Sequence, residues 1–297
     1  MHNLPLICPS TRLELAPASK ELVSELNGKL EQGTLRNLTG RIIINPFEAG
    51  LIREDSKVVY PVRADVPQFN PLEAIALDES VFESEKGAVR NYEKYISELD
   101  FWIYIKNEVG PNLDRGASRY INIVRGILGF DLQKMAGKRV LDIGCGPQGS
   151  LEGLLDAELR VGLDSLSYSY RQLGTAKHAM IYIDADAERM PFQDGYFDVV
   201  SSINSLDHVD NLESVKSEIA RVLTPGGWFL LFTEIHDESS VCEPTVIDWD
   251  IVENFPSLKL ISQKRTEKDK PELLFDHSNQ QRRHGCLYAV FQKECLL

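Results

Sequence analysis

Hydrophobic and polar positions alternate with different periods in three regions of the chain, and each period predicts a different kind of structure. Over residues 1–76 the apolar runs are short and are interrupted by Pro5, Pro9, Pro46, Pro61, Pro67 and Pro71. Such runs read as small strands, at Arg12–Leu15, Arg41–Ile44 and Lys57–Val62, around one helix from Ala18 to Gln32. Over residues 77–137 the period turns helical: Tyr92, Tyr95, Ile96, Leu99, Trp102, Ile103 and Lys106 share one stripe, and Ile121, Val124, Ile127 and Leu128 a second. Aromatic stripes of this kind usually pack a core; this one precedes a glycine-rich loop and is well placed to cover it.

Over residues 138–297 strand and helix patterns alternate. Val140, Leu141 and Ile143 form a buried strand that breaks into Gly144, Gly146 and Gly149, a tight turn before an expected helix. Further strands are expected at Arg160–Asp164, Met180–Ile183, Phe197–Ile203 and Trp228–Ile235. A capped helix, Asn211–Leu223, buries Leu212, Val215, Ile219 and Val222 and stops at Pro225-Gly226-Gly227. Leu258–Gln263 and Leu287–Gln292 close the series, joined by a long polar loop and no helix. Five β-α steps followed by such a pair predict an α/β fold: a mostly parallel sheet with an antiparallel edge. The expected division is a small β-rich module (1–76), a helical cap (77–137) and a main domain (138–297).

Composition narrows the function. At 297 residues, 43% hydrophobic and 26% charged, the chain is an ordinary soluble globular protein, with one main domain and an appended module. A net charge of −13 repels polyanions and makes nucleic acid an unfavourable partner; the densest basic segment, Lys264–Lys270, contains Glu267 and Asp269 and reads as a solvated loop. Five scattered cysteines without a CxxC pair argue against a disulfide framework or a structural zinc site, and for a reducing, cytoplasmic location. No leader-like or membrane-spanning run is found, so an unprocessed protein is expected. Nothing in the sequence bears on oligomeric state.

The glycine loop carries the chemistry. Glycine is needed where a backbone approaches a ligand or takes positive φ, and Asp142 sets a carboxylate beneath the loop. Gly144-x-Gly146-x-x-Gly149 also satisfies the dinucleotide fingerprint, with Asp164 at the distance of a ribose-binding acid. A nicotinamide-dependent oxidoreductase therefore competes at this point.

Later motifs separate the readings. Asp142-Ile-Gly-Cys-Gly-Pro, then Gly162-Leu-Asp164, then Asp186-Ala-Glu-Arg-Met-Pro-Phe followed by Phe197-Asp-Val-Val, then Glu218-Ile-Ala-Arg-Val-Leu-Thr-Pro-Gly-Gly resemble, in order and spacing, class I S-adenosylmethionine-dependent methyltransferases, in their small-molecule, ubiquinone-biosynthesis-like group. The resemblance implies a Rossmann-like seven-stranded sheet with S-adenosyl-L-methionine across its C-terminal edge. It also implies cofactor-binding roles for Asp142, Gly144, Cys145, Gly146, Asp164, Ser165, Asp186, Ala187, Asn204 and Leu206. Asp164 would accept both ribose hydroxyls, Asp186 and Ala187 would face the adenine, and Asn204–Leu206 would line the methionine end.

In the N-terminal region Leu6-Ile-Cys-Pro9 and Tyr60-Pro-Val-Arg-Ala-Asp-Val-Pro-Gln-Phe69 resemble the small zinc-ribbon-like family that activates tRNA and release-factor methyltransferases. Thr11 stands where that family's second thiolate belongs, and no cysteine follows Cys8 before Cys145, so the tetrathiolate site cannot form.

Methyl transfer from a sulfonium needs alignment above all, and a base only where the acceptor must lose a proton. His208, with Asp207 to orient it, and His236 are the candidates. His208, His236 and Glu243 are conceivable metal ligands, but their irregular spacing carries no ligand signature and no metal is expected. The expected reaction is methyl transfer to an oxygen or nitrogen of a small molecule of sugar or natural-product type. A protein or RNA acceptor is the alternative within the class.

Overall fold

The computed structural model describes residues 4–81, 92–110, 115–267 and 283–295. Its N-terminal part is an antiparallel sheet built from β1 (Leu15–Pro17), β2 (Ala49–Arg53), β3 (Val58–Arg63), β4 (Val66–Pro67) and β5 (Ile75–Ala76), with β5 paired to β3. Helix α1 (Lys20–Glu31) starts where the Ser19 hydroxyl accepts the Leu22 N–H, and its Val23 and Leu26 pack with Leu35, Phe47, Val59 and Ile75.

Two expectations fail here. Arg41–Ile44 makes only an isolated bridge from Ile42 to Arg36, with backbone bonds from Asn37 N–H to the Arg41 carbonyl and from Ile43 N–H to the Leu35 carbonyl; its burial still alternates as in a strand, Ile43 inward and Ile42 and Ile44 50% and 77% exposed. Strand β2 was not anticipated, its pattern being broken by Gly50, where a β-carbon would come within 2.8 Å of Val59 Cγ1 on the neighbouring strand.

This sheet shares its core with the rest of the chain. Leu6, Cys8, Leu38, Tyr60 and Phe69 belong to the same buried cluster as Ile143, Leu163, Phe192 and Leu206. Backbone bonds run across the junction, from Ile7 N–H to the Pro191 carbonyl (3.0 Å) and from Phe69 N–H to the Asp184 carbonyl (2.8 Å). Arg12 reaches Glu218 at 2.6 Å.

Two helices follow, α2 (Tyr92–Val109) and α3 (Gly116–Ile121), the latter continuing into a π-helical turn, Asn122–Ile127. The main sheet contains β6 (Arg139–Ile143), β7 (Leu159–Asp164), β8 (Ile181–Asp184), β9 (Phe197–Ile203), β10 (Leu223–His236), β11 (Leu258–Glu267) and β12 (Arg283–Lys293). Their order is β11-β12-β10-β9-β6-β7-β8: β12 runs antiparallel to β10 and β11, and the other pairs are parallel. The chain steps outward from β6 to β8 and returns to β9 on the other side of β6. The C-terminal ends of β6 and β9 therefore flank the crevice in which open α/β sheets bind ligands.

The crossovers differ from expectation. Only α4 (Leu212–Val222), capped by Asn211, is an α-helix joining two strands of this sheet among the described residues. After β6 there is a single 3-10 turn, Ser150–Gly153, and after β7 two more, Ser169–Leu173 and Thr175–Lys177. Gly149 and Gly174, both with positive φ (67° and 106°), break these segments before a helix can propagate. The uncovered face is filled by the cap: Tyr120 and Val124 bury against Val140, Leu151, Leu154, Val199 and Leu230.

Strand β10 also begins earlier than expected, running through Pro225-Gly226-Gly227 with a register shift against β9 between Leu223 and Trp228. The basic segment expected as a loop continues β11 as far as Glu267, on the sheet edge, where lysines discourage strand addition. His284 lies in β12, exposed, with Asp237 at 3.1 Å; His277 lies outside the described residues. No described helix is long and apolar enough to cross a membrane.

Candidate functional site

Strand β6 ends in a backbone that turns left-handed at Gly144 (φ 66°) and Gly146 (φ 58°). A β-carbon on Gly144 would overlap the Ser205 side chain, which donates to the Ile143 carbonyl at 2.7 Å, so glycine is required there. Asp142 is buried beneath the loop and accepts from the Ser150 hydroxyl (2.5 Å) and the Ser201 hydroxyl (2.7 Å). Tyr120 in turn donates to Ser201 at 3.0 Å, so the cap helps fix this carboxylate. Burial raises the Asp142 pKa to about 6 against the lowering effect of those hydroxyls.

Asp164 ends β7. Its two oxygens accept the N–H groups of Gly146 and Leu166, each at 3.0 Å, tying the glycine loop to the next strand. Burial pushes its pKa up to about 6 as well, despite those two bonds. A carboxylate offers about four lone-pair sites; the two backbone N–H groups use two and the Tyr170 hydroxyl also approaches it, which leaves acceptor capacity for a ligand hydroxyl. Ser165, Asp186 and Ala187 line the same cavity, with Tyr95 donating to Asp186 at 3.4 Å. Cys145 also lines it, but burial raises its thiol well above the ordinary range, which makes it a small packing residue and no nucleophile.

At the end of β9, Asn204 takes a left-handed conformation (φ 59°) and its carboxamide oxygen accepts the Glu234 N–H at 3.1 Å, locking β9 to β10. Asn204 and Ser205 line the cavity, whereas Leu206 does not. Leu206 is fully buried in the main core, because the 3-10 turn Leu206–His208 directs it inward.

The cavity has a volume of about 650 Å³. Helix α2 covers it with Tyr95, Glu98, Phe101 and Trp102, and the N-terminal sheet contributes Tyr60 and Phe69. The aromatic stripe thus serves both uses: Leu99 and Ile103 pack with Leu166 and Tyr170, while Tyr95 and Trp102 also face the cavity. Glu98 escaped the sequence reading, although its four-residue spacing to Trp102 was a usable signal. It accepts from Trp102 Nε1 at 3.0 Å and faces His208 Nδ1 at 3.3 Å. Arg119, from α3, also lines the cavity and was not anticipated; burial lowers its pKa to about 10 although Glu234 opposes that shift.

His208 is brought to the cavity wall, with Asp207 Oδ1 at 3.7 Å from its Nε2. Burial alone would lower its pKa; Asp207 and Glu98 outweigh this and raise it to about 10. His236 is buried behind that wall and meets the other oxygen of Asp207 at 3.6 Å. Among the described residues one group of carboxylates and histidine is close enough to hold a metal ion: Asp207, His236 and Glu243, with ligand atoms within 4.8 Å of one another. His208, weighed with His236 and Glu243 on sequence, is not in this group; Asp207 takes its place.

The residues fit the cofactor that the glycine loop suggested: a loop without β-carbons, an acid at the end of β7 with acceptor capacity to spare, and an acid and a backbone segment after β8. Comparison with known proteins agrees. Residues 141–231 match the family model described as a methyltransferase domain, which supports S-adenosylmethionine over the nicotinamide alternative. The chain is 36% identical over 99 residues to sterol 4-C-methyltransferase strm-1 of Caenorhabditis elegans, covering 31% of this chain and 30% of that protein. It is 36% identical over 110 residues to a ubiquinone biosynthesis O-methyltransferase of Dechloromonas aromatica, covering 33% and 45%. The chain thus spans less than half the length of the curated relatives it matches. The solved structure of the 4+2 cyclase SpnF aligns with a TM-score of 0.47 and 16% identity, over 61% of this chain and 82% of that one.

Proposed function

We propose that the chain transfers the methyl group of S-adenosylmethionine to an oxygen or nitrogen of a small organic molecule. The observation that carries the reading is the cavity under α2, which joins Asp164 and Asp186 to His208 and Glu98 in one space of about 650 Å³. That volume falls within the roughly 300–1,000 Å³ of small-ligand sites. The relatives named for sterol C-methylation and ubiquinone-pathway O-methylation support a small acceptor, the second of them an oxygen, and the net charge of −13 opposes a polyanionic one.

S-adenosylmethionine, when bound, supplies a methyl group already activated on a sulfonium. Asp164 holds the ribose, Asp186 and Ala187 the adenine, and the Gly144–Gly146 backbone with Asn204 the methionine end. Asp142 fixes the loop from below. Tyr95, Phe101 and Trp102 exclude water from the acceptor space, and Glu98 and Asp207 hold His208 at its wall. The pKa of about 10 that these carboxylates give it keeps the imidazole protonated at neutral pH, so it takes an acceptor's proton only as pH rises towards 10. His236 stands behind Asp207 and contributes through it.

The N-terminal sheet belongs in this proposal as a metal-free counterpart of the zinc-ribbon-like activator. Its single cysteine, Cys8, is buried with the Tyr60 hydroxyl at 3.0 Å and the Arg53 guanidinium at 3.7 Å in place of a metal. The expected location is the cytoplasm, where five unpaired thiols persist.

The test is a labelled-methyl assay over fractionated metabolites, with protein and RNA fractions of the same extract as controls. Label in a small-metabolite fraction is expected. Label confined to protein or RNA overturns the acceptor class.

A further inference from the structure

We infer that Asp207, His236 and Glu243 form a binding site for a divalent cation of the zinc type. The argument begins with one nitrogen. His236 is 3% exposed, and its Nδ1 lies 2.9 Å from the Glu238 carbonyl, an acceptor, so Nδ1 carries a proton. Its Nε2 is buried and has no hydrogen-bond partner. That nitrogen faces Asp207 Oδ2 at 3.6 Å, beyond hydrogen-bond length. A positive centre belongs between Nε2 and this carboxylate: either a second proton on the imidazole, whose pKa Asp207 raises against the effect of burial, or a metal ion on the Nε2 lone pair.

The spacing of His236 and Asp207 suits a metal ion, and Glu243, within 4.8 Å of both, would close in as the third ligand. Two ligands bound at about 2.1 Å lie ~3.4 Å apart on a tetrahedral centre and ~3.0 Å apart on adjacent octahedral positions. The observed 3.6 Å is nearer the tetrahedral value. One imidazole and two carboxylates form a ligand set that zinc accepts, and three protein ligands leave a fourth position open. An imidazole whose far nitrogen donates to a carbonyl is the usual support of a metal-bound histidine.

The backbone around the three residues is interlocked. Thr245 N–H donates to the Asp207 carbonyl (3.1 Å) and His236 N–H to the Ile247 carbonyl (3.1 Å). The Thr245 hydroxyl donates to the Val209 carbonyl at 2.6 Å, and Glu243 N–H to the Ser240 hydroxyl at 3.0 Å. Glu243 is thereby held over Asp207 by bonds on both sides of it. It also lines the cavity, which gives the ion a route in.

The site adjoins the acceptor cavity through Glu243 and can be tested without turnover. The full chain, stripped with a chelator, is titrated with Co2+ and followed by its visible d–d absorption, then challenged with Zn2+ and, separately, Mg2+. One saturable Co2+ equivalent per chain is expected, displaced by Zn2+ and not by Mg2+. Glu243→Gln, a half-buried loop position chosen because the fold tolerates it, should weaken Zn2+ binding at least about tenfold, and His236→Ala should abolish it. Cys242→Ser should leave it intact. The inference is overturned if no saturable binding is found, if both site variants bind as the parent does, or if only Cys242→Ser loses the ion. A proton would then occupy the space between His236 and Asp207. Because every readout is metal binding, failure of the methyl-transfer reading would leave this result unaffected, and the reverse.

Discussion

Trp102 rests against Gly146: a β-carbon on the glycine would stand 3.2 Å from the indole Cζ2, so the covering helix touches the loop that meets the cofactor. We expect cofactor binding to change the environment of this indole. Trp102→Phe should remove the largest part of the fluorescence change on S-adenosylhomocysteine binding, out of three tryptophans in the chain. An unaltered change would mean that α2 does not respond to the cofactor.

Gly144→Ala should abolish the rise in melting temperature that S-adenosylhomocysteine produces. The substitution forces a side chain onto positive φ, at ~1–2 kcal/mol, and into Ser205, where overpacking costs a further ~1–3 kcal/mol. NADH should raise the melting temperature of neither protein.

Cofactor affinity should fall as pH drops below about 6, the pKa to which burial raises Asp164. Ribose hydroxyls bind the ionised carboxylate, so protonation opposes binding. The ligand-free protein should show the opposite trend. A carboxyl whose folded pKa is raised contributes stability at low pH and loses that contribution as pH rises through about 6. Calorimetric titration from pH 5 to 8 checks the first statement and thermal melts the second. Asp164→Asn, lacking the charge, should bind ~10-fold to 100-fold more weakly at pH 8 and lose the pH dependence of affinity.

Glu218→Ala should lower stability by about 3 kcal/mol in urea unfolding. Glu218 is buried and accepts from Arg12 (2.6 Å), Arg221 Nε (2.7 Å) and Met190 N–H (2.7 Å), so its loss strands three donors and releases the N-terminal segment. Arg12→Ala removes a partner whose side chain is 40% exposed and should cost no more than ~1 kcal/mol.

His208→Ala should reduce kcat by about a hundredfold or more while the melting-temperature rise with S-adenosylhomocysteine persists. Full activity across pH would show that alignment alone suffices.

Much of the fold, and the gathering of Gly144, Gly146, Asp164 and Asp186 around one cavity, was legible in the sequence for local reasons. Phe197–Ile203 is legible as a strand because the aromatic and β-branched Phe197, Val199, Val200 and Ile203 suit a buried strand, and the Asn211 cap starts α4 through its own side chain. Gly144 and Gly146 announce themselves because a left-handed turn packed against other side chains demands glycine, and Asp164 because a strand-end carboxylate can tie down the loop beside it. What remained hidden depends on contacts between distant residues. The missing crossover helices are replaced by Tyr120 and Val124 of the cap, which no local pattern around Gly149 reveals. Glu98 meets His208 across 110 positions, and Asp207, His236 and Glu243 converge only because β9 and β10 lie side by side and the following loop is tied back over them. Residues with strict backbone or hydrogen-bonding demands are readable one at a time; a site assembled from the ends of two strands and a loop exists only once the sheet has ordered them.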